Sequence, residues 1–184
     1  MKGKWVFAAA VLSIAATSGF AAGETVMVGG QAMVPSKDIV DNAVNSADHT
    51  TLVAAVKAAG LVDTLKSPGP FTVFAPTNEA FAALPAGTVD TLVKPENKAT
   101  LTSILTYHVL PGRYDFSKLD SAIKAGGGKA SIKTVNGEML TFTENGPRNI
   151  VVADAAGHTA DISTYDVYQS NGVIMVVDKV LMPK

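Results

Sequence analysis

The sequence predicts an α+β domain, helices first and strands later with one early strand, and three observations carry that expectation. Apolar residues recur at the helical period through residues 52–59 and again through 101–108. Runs rich in β-branched and aromatic residues occur at 71–74, 132–135, 139–142, 150–153, 159–162 and 173–177. Between them stand turn formers: Ser67-Pro68-Gly69-Pro70, Asn136-Gly137 and Ala156-Gly157.

Taken in order, the first 22 residues have a separate task. Lys2 and Lys4 precede an apolar run over residues 5–16, and Ser18, Gly19, Ala21 and Ala22 follow. That order is the pattern of a secretory signal peptide, with cleavage after Ala21 or Ala22. The run is shorter than the roughly 20 apolar residues a membrane span needs. Residues 23–35, with Gly23, Gly29 and Gly30, read as a flexible lead-in, so the folded domain is expected over 36–184. Ser36 is placed to cap a first helix, and Asp48 or Thr50 a second that ends at Gly60. After the strand at 71–74, Thr77 is placed to cap the helix carrying Phe81 and Leu84. Pro95 suits the first turn of the helix bearing Leu101, Ile104, Leu105 and His108, closed by Pro111-Gly112. A short amphipathic helix around Phe116, Leu119 and Ile123 ends at residues 126–128. Strands follow, the pair around Asn136-Gly137 being a tight hairpin. The last run, 173–177, is apolar on both faces, as in a strand covered on each side.

Composition narrows the function classes. With 15 basic and 16 acidic residues the formal net charge is −1, and nucleic acid, bound by phosphate neutralisation, is not an expected partner. Anionic lipid surfaces are disfavoured for the same reason, and no segment after the leader is long enough to hold the mature chain in a membrane. The absence of cysteine excludes a disulfide framework and a thiol nucleophile. There is no Gly-x-Ser-x-Gly elbow, and the three histidines, His49, His108 and His158, show no metal spacing. Residues 126–129 resemble a phosphate loop only superficially, because Ala130 stands where Ser or Thr is required. The chain is therefore expected to be a non-enzyme, with no cofactor and no metal.

Three segments carry a resemblance. Phe71-Thr72-Val73-Phe74-Ala75-Pro76-Thr77-Asn78-Glu79-Ala80-Phe81 resembles the first signature box of the fasciclin domain family. Tyr107-His108-Val109-Leu110 is similar to its central tyrosine-histidine motif, and the run from Asn171-Gly172-Val173 through Met182-Pro183 to its second box. The three stand in the family's order, and the match covers residues 36–183. It implies a wedge-shaped or β-sandwich-like sheet with helices packed around it, in a secreted or periplasmic adhesion module. It also implies receptor contact by the tyrosine-histidine segment and by an Asp-containing motif, carried over here onto Asp166 and Val167 within Tyr165-Asp166-Val167. One departure is Met175, which stands where the family's second box has histidine.

Each singled-out residue keeps two readings. His108 is either a partner-contacting imidazole or a buried histidine bonded to backbone, and its stripe partners Leu101, Ile104 and Leu105 favour burial. Thr77 and Asn78 read as helix caps tying strand to helix, with a ligand contact as the alternative. Asn171-Gly172 reads as a turn with one residue at positive φ. Asp166 is either an exposed recognition carboxylate or a solvated or turn-capping acid, and the flanking Tyr165 and Tyr168 suit an interface or a sheet core. The expected partner-binding set is thus Tyr107, His108, Tyr165, Asp166, Val167 and Tyr168. The expected function is noncovalent binding, by a monomer, of a protein or a surface polysaccharide or matrix. The alternative, motivated by an apolar fraction of 47%, is a periplasmic protein holding a small apolar ligand between helices and sheet.

Overall fold

The computed structural model describes residues 24–184, and the expected leader at residues 1–22 lies outside them. Gly29 and Gly30, at φ 58° and 71°, close a hairpin between β1 (Val26–Val28) and β2 (Gln31–Met33). Two successive residues of positive φ give the turn whose twist matches the paired strands. Val28 and Met33 are buried in the helical core. Part of the expected lead-in, residues 26–33, therefore forms a hairpin strap packed on this core.

Five helices follow with the early strand among them. They are α1 (Ile39–Ala43), α2 (Thr50–Ala59), α3 (Val62–Lys66), then β3 (Phe71–Pro76), α4 (Asn78–Ala82) and α5 (Thr88–Leu92). Asp38, not Ser36, caps α1 by accepting from the Asp41 amide (2.8 Å). A 3₁₀ turn, Ala47–His49, leads into α2, which has no side-chain cap of its own and ends on Gly60 in the left-handed conformation (φ 71°). Another 3₁₀ turn, Pro95–Asn97, opens α6 (Lys98–Tyr107). That helix stops at His108, and residues before the expected Pro111-Gly112 close instead form β4 (Val109–Pro111). After α7 (Phe116–Ala125) come β5 (Lys129–Lys133), β6 (Met139–Glu144), β7 (Ile150–Ala153), β8 (Thr159–Gln169) and β9 (Gly172–Val177).

Seven strands make one sheet in the order β4-β3-β9-β8-β7-β6-β5. Only β3 and β9 run parallel, with Phe71 opposite Gly172 and Pro76 opposite Val177. The two ends of the sheet approach each other, since the Val135 amide just after β5 donates to the Val109 carbonyl of β4 (2.8 Å). Phe74 of β3 and Phe142 of β6 lie 5.5 Å apart although three strands separate them in sheet order. Twist accumulated over seven strands curls the sheet around its own core.

Alternation along β9 shows how two cores share one strand. Val173, Met175 and Val177 point into the core enclosed by the sheet, with Phe74, Leu110, Leu140 and Phe142. Ile174 and Val176 point the other way, into the core beneath helices α1 to α6. A strand covered on both faces has no polar positions to offer, and all six residues of β9 are buried. The fold is the α+β arrangement expected, a wedge-like curled sheet with helices around it.

Candidate functional site

The end of α6 builds a buried polar node. Tyr107 is 0% exposed and His108 2%. The Tyr107 hydroxyl donates to the Met139 carbonyl (3.1 Å) and accepts from the Ala155 amide (2.9 Å). His108 Nδ1–H donates to the Ile104 carbonyl (2.8 Å), while Nε2 accepts from the Leu181 amide (3.0 Å). One nitrogen gives and the other receives, so the ring is held as a single neutral tautomer. Burial pushes its pKa from 6.5 down to about 4, against the opposing pull of the Ile104 carbonyl and Asp154. Next to it, Met182 N–H donates to Asp154 Oδ2 (3.2 Å). Burial pushes the Asp154 carboxyl upward, but His158 (3.0 Å) and the Met182 amide hold it below its ordinary value. The final residues are thus fastened by side chains from two elements.

Thr77, Asn78 and Asn171 join elements. Thr77 Oγ1 accepts from the Ala80 amide (3.3 Å), capping α4. Asn78 Oδ1 accepts from the Thr51 amide (3.0 Å) and its Nδ2 donates to the Ala47 carbonyl (2.8 Å). It supplies from another helix the cap that α2 lacks. Asn171 is buried, its Oδ1 accepting from the Ile39 amide (3.0 Å) and its Nδ2 donating to the Leu65 and Ser67 carbonyls (2.7 and 3.0 Å). It therefore holds the start of α1 and the end of α3. Neither Asn171 nor Gly172 has positive φ. Gly172 meets another requirement: a Cβ there would collide with the Phe71 carbonyl of the parallel neighbour.

Asp166 is the one non-glycine residue among those described with positive φ (56°). It sits in a register irregularity of β8 between Thr164 and Val167. A bulge re-aims the side chain it carries, and here Asp166 Oδ1 accepts from the Phe116 amide at the start of α7 (2.7 Å). The carboxylate is half-buried rather than exposed, and burial first, then Asp115, raises its pKa against the Phe116 amide and Arg148. Its own amide donates to Met175 Sδ (3.4 Å). The thioether standing where the family has histidine is thus a weak acceptor at the back of this bulge. Val167, 1% exposed, belongs to the helical core.

Around the bulge lies a face of rings and cations. Phe116 and Tyr165 pack edge to face at 5.2 Å. Arg148 lies over Phe116 (5.5 Å), Arg113 over Tyr168 (5.9 Å) and Lys118 over Tyr114 (4.3 Å). The Tyr165 hydroxyl accepts from the Ile150 amide (2.8 Å). All four rings are half-buried, their bodies against the sheet core and their outer edges toward solvent. Of the six residues expected to bind a partner, this face collects Tyr165, Asp166 and Tyr168. Tyr107, His108 and Val167 are buried instead. Sequence reasoning missed Tyr114, Phe116, Arg113 and Arg148. For the first three the signal was the density of aromatic and basic residues over 113–118, and nothing local marks Arg148.

Among the described residues, no three His, Asp or Glu side chains converge as a metal site. His49 is buried against Ser46 (2.9 Å), His108 sits under the C-terminal segment, and His158 is exposed beside Asp154. No described helix is long and apolar enough to cross a membrane.

Comparison with known proteins bears on this arrangement. The fasciclin domain pattern matches residues 47–183. Protein sll1483 of Synechocystis sp. is 41% identical over 189 residues, covering 96% of this chain and 97% of its own. The immunogenic protein MPB70 of Mycobacterium bovis is 38% identical, over 76% of this chain and 65% of that one. The cell surface glycolipoprotein MPB83 of the same species is 36% identical, over 85% and 64%. A FAS1 domain pair from the insect cell adhesion molecule Fasciclin I superposes with TM-score 0.72 at 18% identity, over 81% of this chain and 52% of that one. That likeness concerns the fold.

Proposed function

The chain belongs to the fasciclin domain family, and we propose that it is an exported interaction module that holds a protein or a surface polysaccharide noncovalently. The contact surface is the face made by Tyr114, Phe116, Tyr165 and Tyr168 with Arg113 and Arg148. The observation that carries this reading is the set of three cation–ring pairs gathered around one bulged aspartate. Half-buried rings give a partner rigid apolar area at little entropic cost, and guanidinium groups beside them receive carboxylate or hydroxyl oxygens. Asp166 Oδ1 is bonded to a helix amide and the rings are packed, which suits a binding surface. Family kinship with a cell surface glycolipoprotein and a secretory leader pattern support action outside the cytoplasm, in the periplasm or beyond. The folded unit would act as one domain after removal of the leader.

The test is binding of the purified mature protein to envelope fractions of its own host. Arg148→Ala removes an exposed cation of the face, and Tyr168→Ala removes a half-buried ring that also packs against the sheet core, so its fold is checked alongside. Each is expected to lower binding by at least about fivefold, the scale of losing one interface contact worth ~1 kcal/mol. Both variants binding like the parent, with unchanged circular dichroism, would sink the assignment of the face.

A further inference from the structure

Of the 15 basic residues only Arg113 and Arg148 are arginines, and both stand on the aromatic face. Three of the 4 tyrosines, Tyr114, Tyr165 and Tyr168, stand there with them. Arginine and tyrosine are the residues that dominate the energy of protein–protein contacts, whereas lysine is depleted in them.

The charges of this face are unevenly committed. Asp115 Oδ1 accepts from the Lys118 amide (2.9 Å) and Asp166 Oδ1 from the Phe116 amide (2.7 Å), so both carboxylates serve the first turn of α7. The cations have no such counterpart. Among the described residues, Arg113, Lys118 and Arg148 make no salt bridge. Arg113 gives one N–H to the Gln169 carbonyl (3.4 Å) and Lys118 one to the Arg113 carbonyl (3.2 Å). A guanidinium carries five donors in a fixed fork that fits a carboxylate, so donors remain on both arginines. On a chain whose formal net charge is −1, these cations make the face complementary to an acidic partner.

A carboxylated carbohydrate would offer the same anion, but a sugar ring stacks on a bare aromatic face. Here cations lie over Tyr168, Tyr114 and Phe116, and the rings pack inward on the sheet core. We propose that this face docks an acidic segment of a protein, whose Asp and Glu carboxylates pair with Arg113 and Arg148. The proposal rests on the reading of this face as the contact surface and names its occupant.

The experiment is fluorescence anisotropy of labelled octaglutamate with the folded protein. Octaglutamine is the uncharged comparator, and an oligogalacturonate with as many carboxylates is the carbohydrate. Octaglutamate is expected to bind, less tightly as salt is added, and octaglutamine not to bind. Arg148→Gln and Arg113→Gln should each weaken octaglutamate by about three- to tenfold, the scale of one charge-assisted contact at a partly exposed site. Arg148→Lys keeps the charge without the fork and should recover only part of that loss. Lys57→Gln, at an exposed position of α2 outside the face, should change nothing. Octaglutamate that does not bind, or that binds equally in the parent and both Arg→Gln variants, would overturn the proposal. So would oligogalacturonate binding the more tightly, which would give the face to a carbohydrate. Arg148→Lys binding like the parent would overturn the forked pairing. Because Arg148 is exposed, its variants decide the matter if Arg113→Gln alters the circular dichroism. Envelope binding that falls in Tyr168→Ala while octaglutamate stays unbound would keep the face as a contact surface and refute the acidic occupant alone.

Discussion

His108 shows how a side chain of mixed character is used at the residue scale. Its imidazole bridges the Ile104 carbonyl and the Leu181 amide, so it joins a helix end to the C-terminal segment. His108→Ala would leave a cavity and two buried backbone groups without partners, at a cost of roughly 2–4 kcal/mol. Protonation matters as well. The folded pKa of about 4 lies below the ordinary 6.5, so between these values the unfolded chain binds the proton and the folded one does not. Stability must therefore fall as pH drops from 6.5 toward 4, by about 3 kcal/mol from this residue. His49, whose pKa burial also lowers, acts in the same direction. Urea denaturation at pH 7.0, 5.5 and 4.5 should give a steeper loss for the parent than for His108→Ala. Parallel pH profiles for the two would contradict the neutral buried ring.

At the scale of elements, polar side chains from distant positions finish structures that their own segments leave incomplete. The α2 helix receives its cap from Asn78, 27 residues beyond Thr51, and α1 and α3 are held by Asn171, more than 100 residues beyond Leu65. Asn171→Ala removes three hydrogen bonds and leaves the Leu65 carbonyl and Ile39 amide short of a partner. The expected cost is about 2–4 kcal/mol, measured as a lower urea midpoint. Stability equal to the parent would mean that water replaces those bonds. The same scale explains Gly172, where the parallel strand comes so close that only hydrogen fits. It also explains Asp166, whose left-handed backbone is the local means of turning a carboxylate toward α7.

For the molecule as a whole, one sheet with two covered faces couples both cores through β3 and β9. The β1–β2 strap belongs to this unit, because Val28 and Met33 are buried in the helical core. Asn42 adds a polar fastening, accepting from the Val34 amide (3.0 Å), donating to the Val34 carbonyl (2.8 Å) and bonding to Gln169. A chain starting at residue 36 should therefore be less stable than one starting at residue 24. The loss of two buried apolar side chains predicts about 3–5 kcal/mol. Urea melts of the two chains would decide it, and coincident transitions would show the strap to be dispensable.

What the sequence determined by itself rests on local chemistry. The glycine after α2, the Thr77 cap, the Asn136-Gly137 turn and the apolar run of β9 each have a physical cause within a few residues. The two boxes and the tyrosine-histidine pair added the architecture by resemblance. The hairpin at Gly29-Gly30 was legible in principle, but three-residue strands give too short a pattern to distinguish from a loop, and β4 is hidden for the same reason. Only the tertiary structure decided the candidate site. Burial removed Tyr107, His108 and Val167 from the surface, and packing brought Arg148 over Phe116 and Arg113 over Tyr168 across gaps in the chain that no periodicity records. Cavities and contact faces are spaces between elements, so they are set by how the elements dock and not by any one segment's pattern.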